Sequence, residues 1–385
     1  REDAAAVETA SSLGGQLMPP IMGISAFLMA DFLGVSYFEV VARGYAPALI
    51  YFASISVGVY LVSLRYRTRM QVITAEPMSG SDWANVAVVV AAVAALIVLM
   101  AVFYAPPMFA ARDVFLAIGA ILLASFVVSR WRTARGALRL RPLAVPLRRF
   151  LDIFTTMTAD LTLLLATLSI MVGAFVITGV PTKIGALLLA AAGVSVLAMA
   201  LVAFVFGALL GTGLPPAPTY ILTALVIAPP MIRAGVDPWV VHFFAFFLAV
   251  WGELTPPTSV VAAVTAKIAD ASFMGTLYRG IQLCVSLFVL MAAVFARPEL
   301  VLEPGLAQLG TMALVLVATV GITFSLQARF SDRREFDLAA RAALAAAALV
   351  VLLHPAIELA LIAGVAVALF VAYWLLRRRE DQAIA

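Results

Sequence analysis

Gly252-Glu253-Leu254-Thr255-Pro256-Pro257 puts a carboxylate and two consecutive prolines inside an otherwise apolar segment that runs from Pro238 to Ala269. Adjacent prolines remove two backbone N–H donors and clash with a continuing helix, so the carbonyls of the preceding turn lose their partners. Each flanking arm has about 10 to 15 residues, roughly 15 to 22 Å as helix, short of a hydrocarbon core of about 30 Å. Two short arms meeting at a Pro-Pro break predict a re-entrant hairpin over 238–270. Orphan carbonyls cost several kcal/mol each in lipid, so the break must be buried in protein or line a cavity.

A second apolar region, Ala4 to Leu33, breaks in the same way at Gly14-Gly15-Gln16-Leu17-Met18-Pro19-Pro20. The two breaks align as G-[Q/E]-L-x-P-P, with Gln16 opposite Glu253. Paired interruptions at the centres of apolar segments point to a repeated transporter architecture with its site at the breaks. A third break, Phe206 to Tyr220, reads F-G-A-L-L-G-T-G-L-P-P-A-P-T-Y. Its Gly207, Gly211 and Gly213 permit close backbone approach, and Thr212 and Thr219 carry hydroxyls suited to a hard cation. The sequence therefore predicts one ion site from the breaks at 211–218 and 252–258. Pro257 is expected in the first turn of the second half-helix, whose free N–H groups favour an anion.

The rest of the chain fits a membrane setting. Hydrophobic residues make up 64% of 385, charged residues 12%, and the mean hydropathy is +1.09. Runs long enough to span are expected at 44–64, 83–104, 108–128, 154–178, 183–206, 216–233, 276–296 and 306–326, with a pair between 339 and 376 that turns at Leu352 to Glu358. The net charge of +4 is no nucleic-acid footprint, because the arginines cluster in short loops, at Arg65, Arg67 and Arg69 and again between Arg130 and Arg149. Such loops face the cytoplasm and meet anionic membrane lipid, or serve as a connecting arm. One cysteine, Cys284, and two histidines, His242 and His354, argue against a disulfide framework and a zinc or haem cofactor. The opening R-E-D-A-A-A-V-E-T-A lacks the regions of a signal peptide and reads as the interior of a longer chain.

Individual residues carry two readings. Glu253 is either a proton relay or substrate ligand, or a structural acceptor for N–H groups; Gln16 at the matching position cannot titrate. His242, in an aromatic-rich stretch, reads as a hydrogen-bonded packing residue, and Asp31 and Lys267 as snorkelling groups near the arm ends. An intramembrane enzyme is disfavoured, since neither break has a Ser/His/Asp arrangement or a His/Glu metal spacing nearby.

The motifs A-S-S-L-G-G-Q-L-M-P-P-I-M-G-I-S-A-F-L-M-A-D-F-L-G-V, G-T-G-L-P-P-A-P-T-Y-I-L and W-G-E-L-T-P-P-T together resemble the large membrane subunit of TRAP transporters, and more narrowly the TAXI branch with fused membrane subunits. The resemblance implies an all-α polytopic membrane protein with inverted repeats and two re-entrant hairpins, moving as an elevator. It implies a sodium-driven importer of an organic anion, delivered by a periplasmic TAXI-type solute-binding protein, in the bacterial inner membrane. Carried onto this chain, the ion and substrate residues are Ser12, Gly14, Gly15 and Pro19 at the first tip, with Gly211, Thr212, Gly213, Glu253, Thr255 and Pro256 at the second. Sodium is assigned to Gly211, Thr212, Gly213 and Thr255. The expected division is a first hairpin over 1–34, connecting helices over 35–150, a second repeat over 151–300 and extra helices over 301–385. Relatives read G-M-G-L-P-T where this chain has Gly211 to Pro216, so Pro216 replaces a threonine hydroxyl, and the first repeat's own broken segment is expected outside this sequence. Proton coupling through Glu253 and a non-transporting assembly role are the alternatives.

Overall fold

Helix α1 (Glu2–Gly15) and helix α2 (Ile24–Leu33) are the arms of the first hairpin, and the turn between them holds Pro19 and Pro20. The structure is a computed structural model and describes residues 1–20, 22–66, 78–103, 107–133, 141–193, 195–212, 214–331 and 333–384. Fourteen and ten residues of helix rise about 21 and 15 Å, too little to cross the bilayer alone. Helix α3 (Tyr37–Tyr66) follows as a full span with Pro47 in its interior.

Helices α4 (Gly80–Ala101), α5 (Pro107–Thr133) and α6 (Arg141–Ile177) fall in a separate compact unit, Gln71–Thr178. Ser79 caps α4: its hydroxyl accepts from the Asp82 N–H, while the Asp82 carboxylate accepts from the Ser79 N–H at 2.8 Å. That reciprocal pair satisfies donors a helix start otherwise leaves open. Of the arginines expected in the connecting loop, Arg148 and Arg149 lie inside α6, and residues 134–140 lie outside the described residues.

The other unit, Arg1–Met70 with Gly179–Ala385, continues with α7 (Val180–Ala192), α8 (Val196–Gly211), α9 (Pro216–Val226) and α10 (Ala228–Arg233). Two expected spans are corrected here. The run 183–206 is two helices, because Ser195 supplies a cap hydroxyl to the Ala198 N–H at 3.1 Å and starts a new helix. The run 216–233 breaks at Ile227, where Pro229 and Pro230 cannot donate to the preceding turn. Apolar content hides both breaks from a hydropathy reading.

The second hairpin has arms α11 (Pro238–Gly252) and α12 (Val260–Ile268). Every residue of α11 from Val240 to Gly252 is buried, as a helix that is hydrophobic all round requires. Pro257 does not open α12. Thr258 and Ser259 intervene, and Ser259, with a hydroxyl that accepts from the Ala262 N–H at 3.1 Å, provides the cap that proline cannot. After it come α13 (Phe273–Leu283) and α14 (Val285–Ala296), which together form one span bent at Cys284. A 3-10 turn at Pro298–Leu300 leads to α15 (Leu306–Gln327), α16 (Arg334–Leu353) and α17 (Ile357–Ile384). Among the described residues seven helices are long and apolar enough to cross a membrane.

The repeat extends well beyond the six aligned residues. Gln16 and Glu253 are 237 positions apart, and the same shift carries α1, α2 and the start of α3 onto α11, α12 and the start of α13 to within two residues. It also carries Pro47 onto Cys284, so the helix after each hairpin has its irregularity at the same place. Both Pro-Pro peptides, Pro19-Pro20 and Pro256-Pro257, are cis.

Candidate functional site

The site begins with two glycines on one face of α8. A Cβ on Gly207 would collide with the Leu248 side chain, and one on Gly211 would lie 3.1 Å from the Gly252 Cα. The four-residue spacing on both helices seats the Leu248 side chain against Gly207 and brings the Gly211 and Gly252 backbones together one turn on. The break after Gly211 is thereby pressed onto the second tip. Pro215 and Pro216 then start α9, with Pro216 in its first turn, where its missing N–H costs nothing.

Thr219 sits at this crossing. Its methyl group would be 3.1 Å from a Cβ on Gly211 and 3.6 Å from one on Gly252, while its hydroxyl donates to the Pro215 carbonyl at 3.0 Å. Thr212 donates to the Ala208 carbonyl at 3.0 Å, which leaves its oxygen lone pairs open. Gly213 lies outside the described residues. On the tip itself the Thr255 hydroxyl and the Trp251 indole N–H are both buried without a hydrogen-bond partner among the described residues. Buried polar groups are nearly always satisfied, and among the described residues this tip leaves two that are not. Pro256 is exposed beside them.

The first tip is built differently. Gly14 is buried where a Cβ would meet Phe52 at 2.7 Å and Tyr51 at 2.8 Å, and the Tyr51 hydroxyl donates to the Ala10 carbonyl at 2.8 Å. Its carbonyl already accepts from the N–H groups of Leu17 and Met18. Gly14 is thus a contact between hairpin and α3. Pro19 is buried near Gly44 of α3, and Gly15 is exposed with open space around it. Ser12 is exposed, its hydroxyl 3.5 Å from the Glu8 carboxylate.

What joins the two tips is the pair that the repeat matches. The Gln16 side-chain amide donates to the Glu253 carboxylate at 3.0 Å. Leu17 and Leu254, the next matched pair, are both buried. Deeper between the hairpins, the hydroxyls of Thr9 and Thr265 meet at 2.7 Å. His242 on α11 is buried, 2.6 Å from the Tyr220 hydroxyl of α9, and its ring stacks near Phe32 of α2. It is a packing residue that ties three elements together.

The sequence reading paired the breaks at 211–218 and 252–258, and here the Gly211 and Gly252 backbones meet. It named Thr219 for its hydroxyl and missed two contributors: Gln16 as a partner of Glu253, and Trp251. The signal for Gln16 was its alignment with Glu253. Trp251 carried none, because a tryptophan in an aromatic run is ordinary there.

No curated protein matches the chain. The family model of the DctM component of tripartite ATP-independent periplasmic transporters matches residues 1–300, a stretch that takes in both hairpins, the glycine break and the span after each hairpin. With that match over most of its length, the chain belongs to the DctM family, the large membrane component of TRAP transporters.

Proposed function

We propose that this multi-pass inner-membrane component is a TAXI-type fused permease importing an organic anion, a carboxylate, by coupling it to sodium. TRAP components of this kind work with a periplasmic solute-binding protein, and the reading assigns a TAXI-type binding protein as the one that delivers the solute. The observation that carries the ion assignment is the orphaned Thr255 hydroxyl on a tip whose backbone touches the Gly211 break. A hydroxyl with free lone pairs, together with carbonyls released by prolines, is the oxygen set that a hard cation takes. Thr255 and Thr212 supply hydroxyls, and Gly211 supplies the second lone pair of a carbonyl that already accepts from the Leu214 N–H at 3.1 Å. Thr219, one turn after Pro216, returns a hydroxyl to the face where Pro216 removed one. The Trp251 N–H is a donor only, so it suits the anionic solute. Sodium bound at the tips would order the site for that solute, and the two hairpins would then move with their cargo as an elevator.

The test is thermal melting of the purified chain in sodium chloride against potassium chloride. The midpoint should rise with sodium and not with potassium, since a ligand at 100 times its Kd adds about 2.7 kcal/mol to the folded state. Thr255→Val, which keeps shape and loses the oxygen, should abolish the shift. An equal response to both salts in the parent protein would remove sodium from the site.

Proton coupling through Glu253 is the second reading, favoured by one observation. This half-buried carboxylate sits at the tip against a neutral amide, and among the described residues no cation is paired with it. Glu253→Gln separates the two. Uptake that still follows an imposed sodium gradient excludes the proton reading, and uptake lost together with its response to a proton gradient supports it.

A further inference from the structure

We infer that Gln16 is a positioning residue: its amide tethers the first hairpin tip to Glu253 of the second, and this tether sets the geometry of the site at Thr255. The inference rests on the ion-site reading proposed above. Gln16 is the centre of its own tip. Its carbonyl accepts from the Gly23 N–H at 3.1 Å, closing the turn, and its side chain lies over Gly23, with its Cβ 3.7 Å from where a Gly23 Cβ would be. The outer end of the same side chain then crosses to Glu253 at 3.0 Å. Glu253 is two residues before Thr255, and the Thr255 N–H closes the second tip on the Gly252 carbonyl at 3.1 Å. One side chain thus spans from the closed turn of one repeat to the turn that presents the orphaned hydroxyl in the other.

The chemistry of the pair is asymmetric in a way that makes it testable. An amide donates to a carboxylate without needing a proton from solvent. Two carboxylates at the same distance hold together only by sharing one proton, and repel when both ionise. The surroundings would not mask that repulsion. No Asp, Glu, Lys or Arg occurs on α8, α9 or α14, and α11 contributes only His242, bonded to Tyr220. On α1, Glu2 and Asp3 are paired with Arg279 of α13, and Glu8 lies beside Ser12. Asp31 and Lys267 are near the ends of α2 and α12 away from the tips, and Arg233 ends α10.

The experiment uses the full chain, with sodium chloride and potassium chloride as probes and melting as the readout. In Gln16→Leu, which keeps the bulk of the side chain and loses the amide, the concentration of sodium needed for half the melting shift should rise about tenfold and the basal midpoint should fall. The exchanged double variant, Gln16→Glu with Glu253→Gln, restores an amide facing a carboxylate and should return both readouts to parental behaviour. A residue that merely filled space would not be rescued by exchanging the two groups. A Gln16→Leu variant whose midpoint and sodium response match the parent overturns the tether, as does an exchanged variant as impaired as the single one. If the parent shows no sodium shift, the ion reading fails, while the basal midpoints still decide whether the tether exists.

Discussion

Gly211 and Gly15 show how little a residue's identity says without its surroundings. Both are glycines at the last position of a helix entering a break. A Cβ on Gly211 meets the Gly252 backbone at 3.1 Å, whereas one on Gly15 meets nothing within 4 Å. Backbone cannot rotate away as a side chain can, so Gly211→Ala should cost about 1–3 kcal/mol, lower the melting midpoint and weaken the sodium response. Gly15→Ala should stay within about 0.5 kcal/mol of the parent. Equal effects at the two sites would mean that the α8–α11 crossing is looser than described. The sequence made both glycines visible and could not rank them, because the ranking depends on which helix lies across the chain.

At the scale of elements, the hairpins were legible because two facts of covalent chemistry suffice to predict them. Proline removes donors, and an arm of 14 or 15 residues is too short for the bilayer. The breaks inside 183–206 and 216–233 were not legible by hydropathy, which averages over side chains and is blind to a single capping serine. Ser195 and the Pro229-Pro230 pair were the available signals. The placement of α15 was equally hidden. Its Thr323 hydroxyl meets that of Ser54 on α3 at 2.9 Å, and the Gln327 side chain packs near Gly58. Nothing in either apolar run singles out the other as its neighbour, since lipid and helix are equally apolar and small polar groups choose the partner. Arg297, buried after α14, donates to the carbonyls of Val351 and His354 and so closes the α16–α17 turn that the His354-Pro355 pair announced in the sequence.

On the scale of the molecule, residues beyond 300 lie outside the family match yet are firmly packed. Gly321 is the point where α15, α16 and α17 converge, with a Cβ there 2.9 Å from both Ala348 and Val367. Gly321→Leu should therefore wedge the three helices apart, destabilise the fold by about 1–3 kcal/mol or more, and lower the basal midpoint. If the C-terminal helices are support and not site, the sodium-induced shift should survive on top of that lower baseline; its loss would place them in the transport step itself.

The 237-residue correspondence has a practical consequence. Within one polypeptide, in one tube, nearly the same backbone turn is presented twice in two environments, so each tip serves as the reference for the other. A substitution made at Leu17 and again at Leu254, or at Gly15 and again at Gly252, subtracts away the intrinsic behaviour of the turn and leaves the influence of what surrounds it. The difference between such twins measures directly how far the two halves of the machine have been specialised for separate tasks.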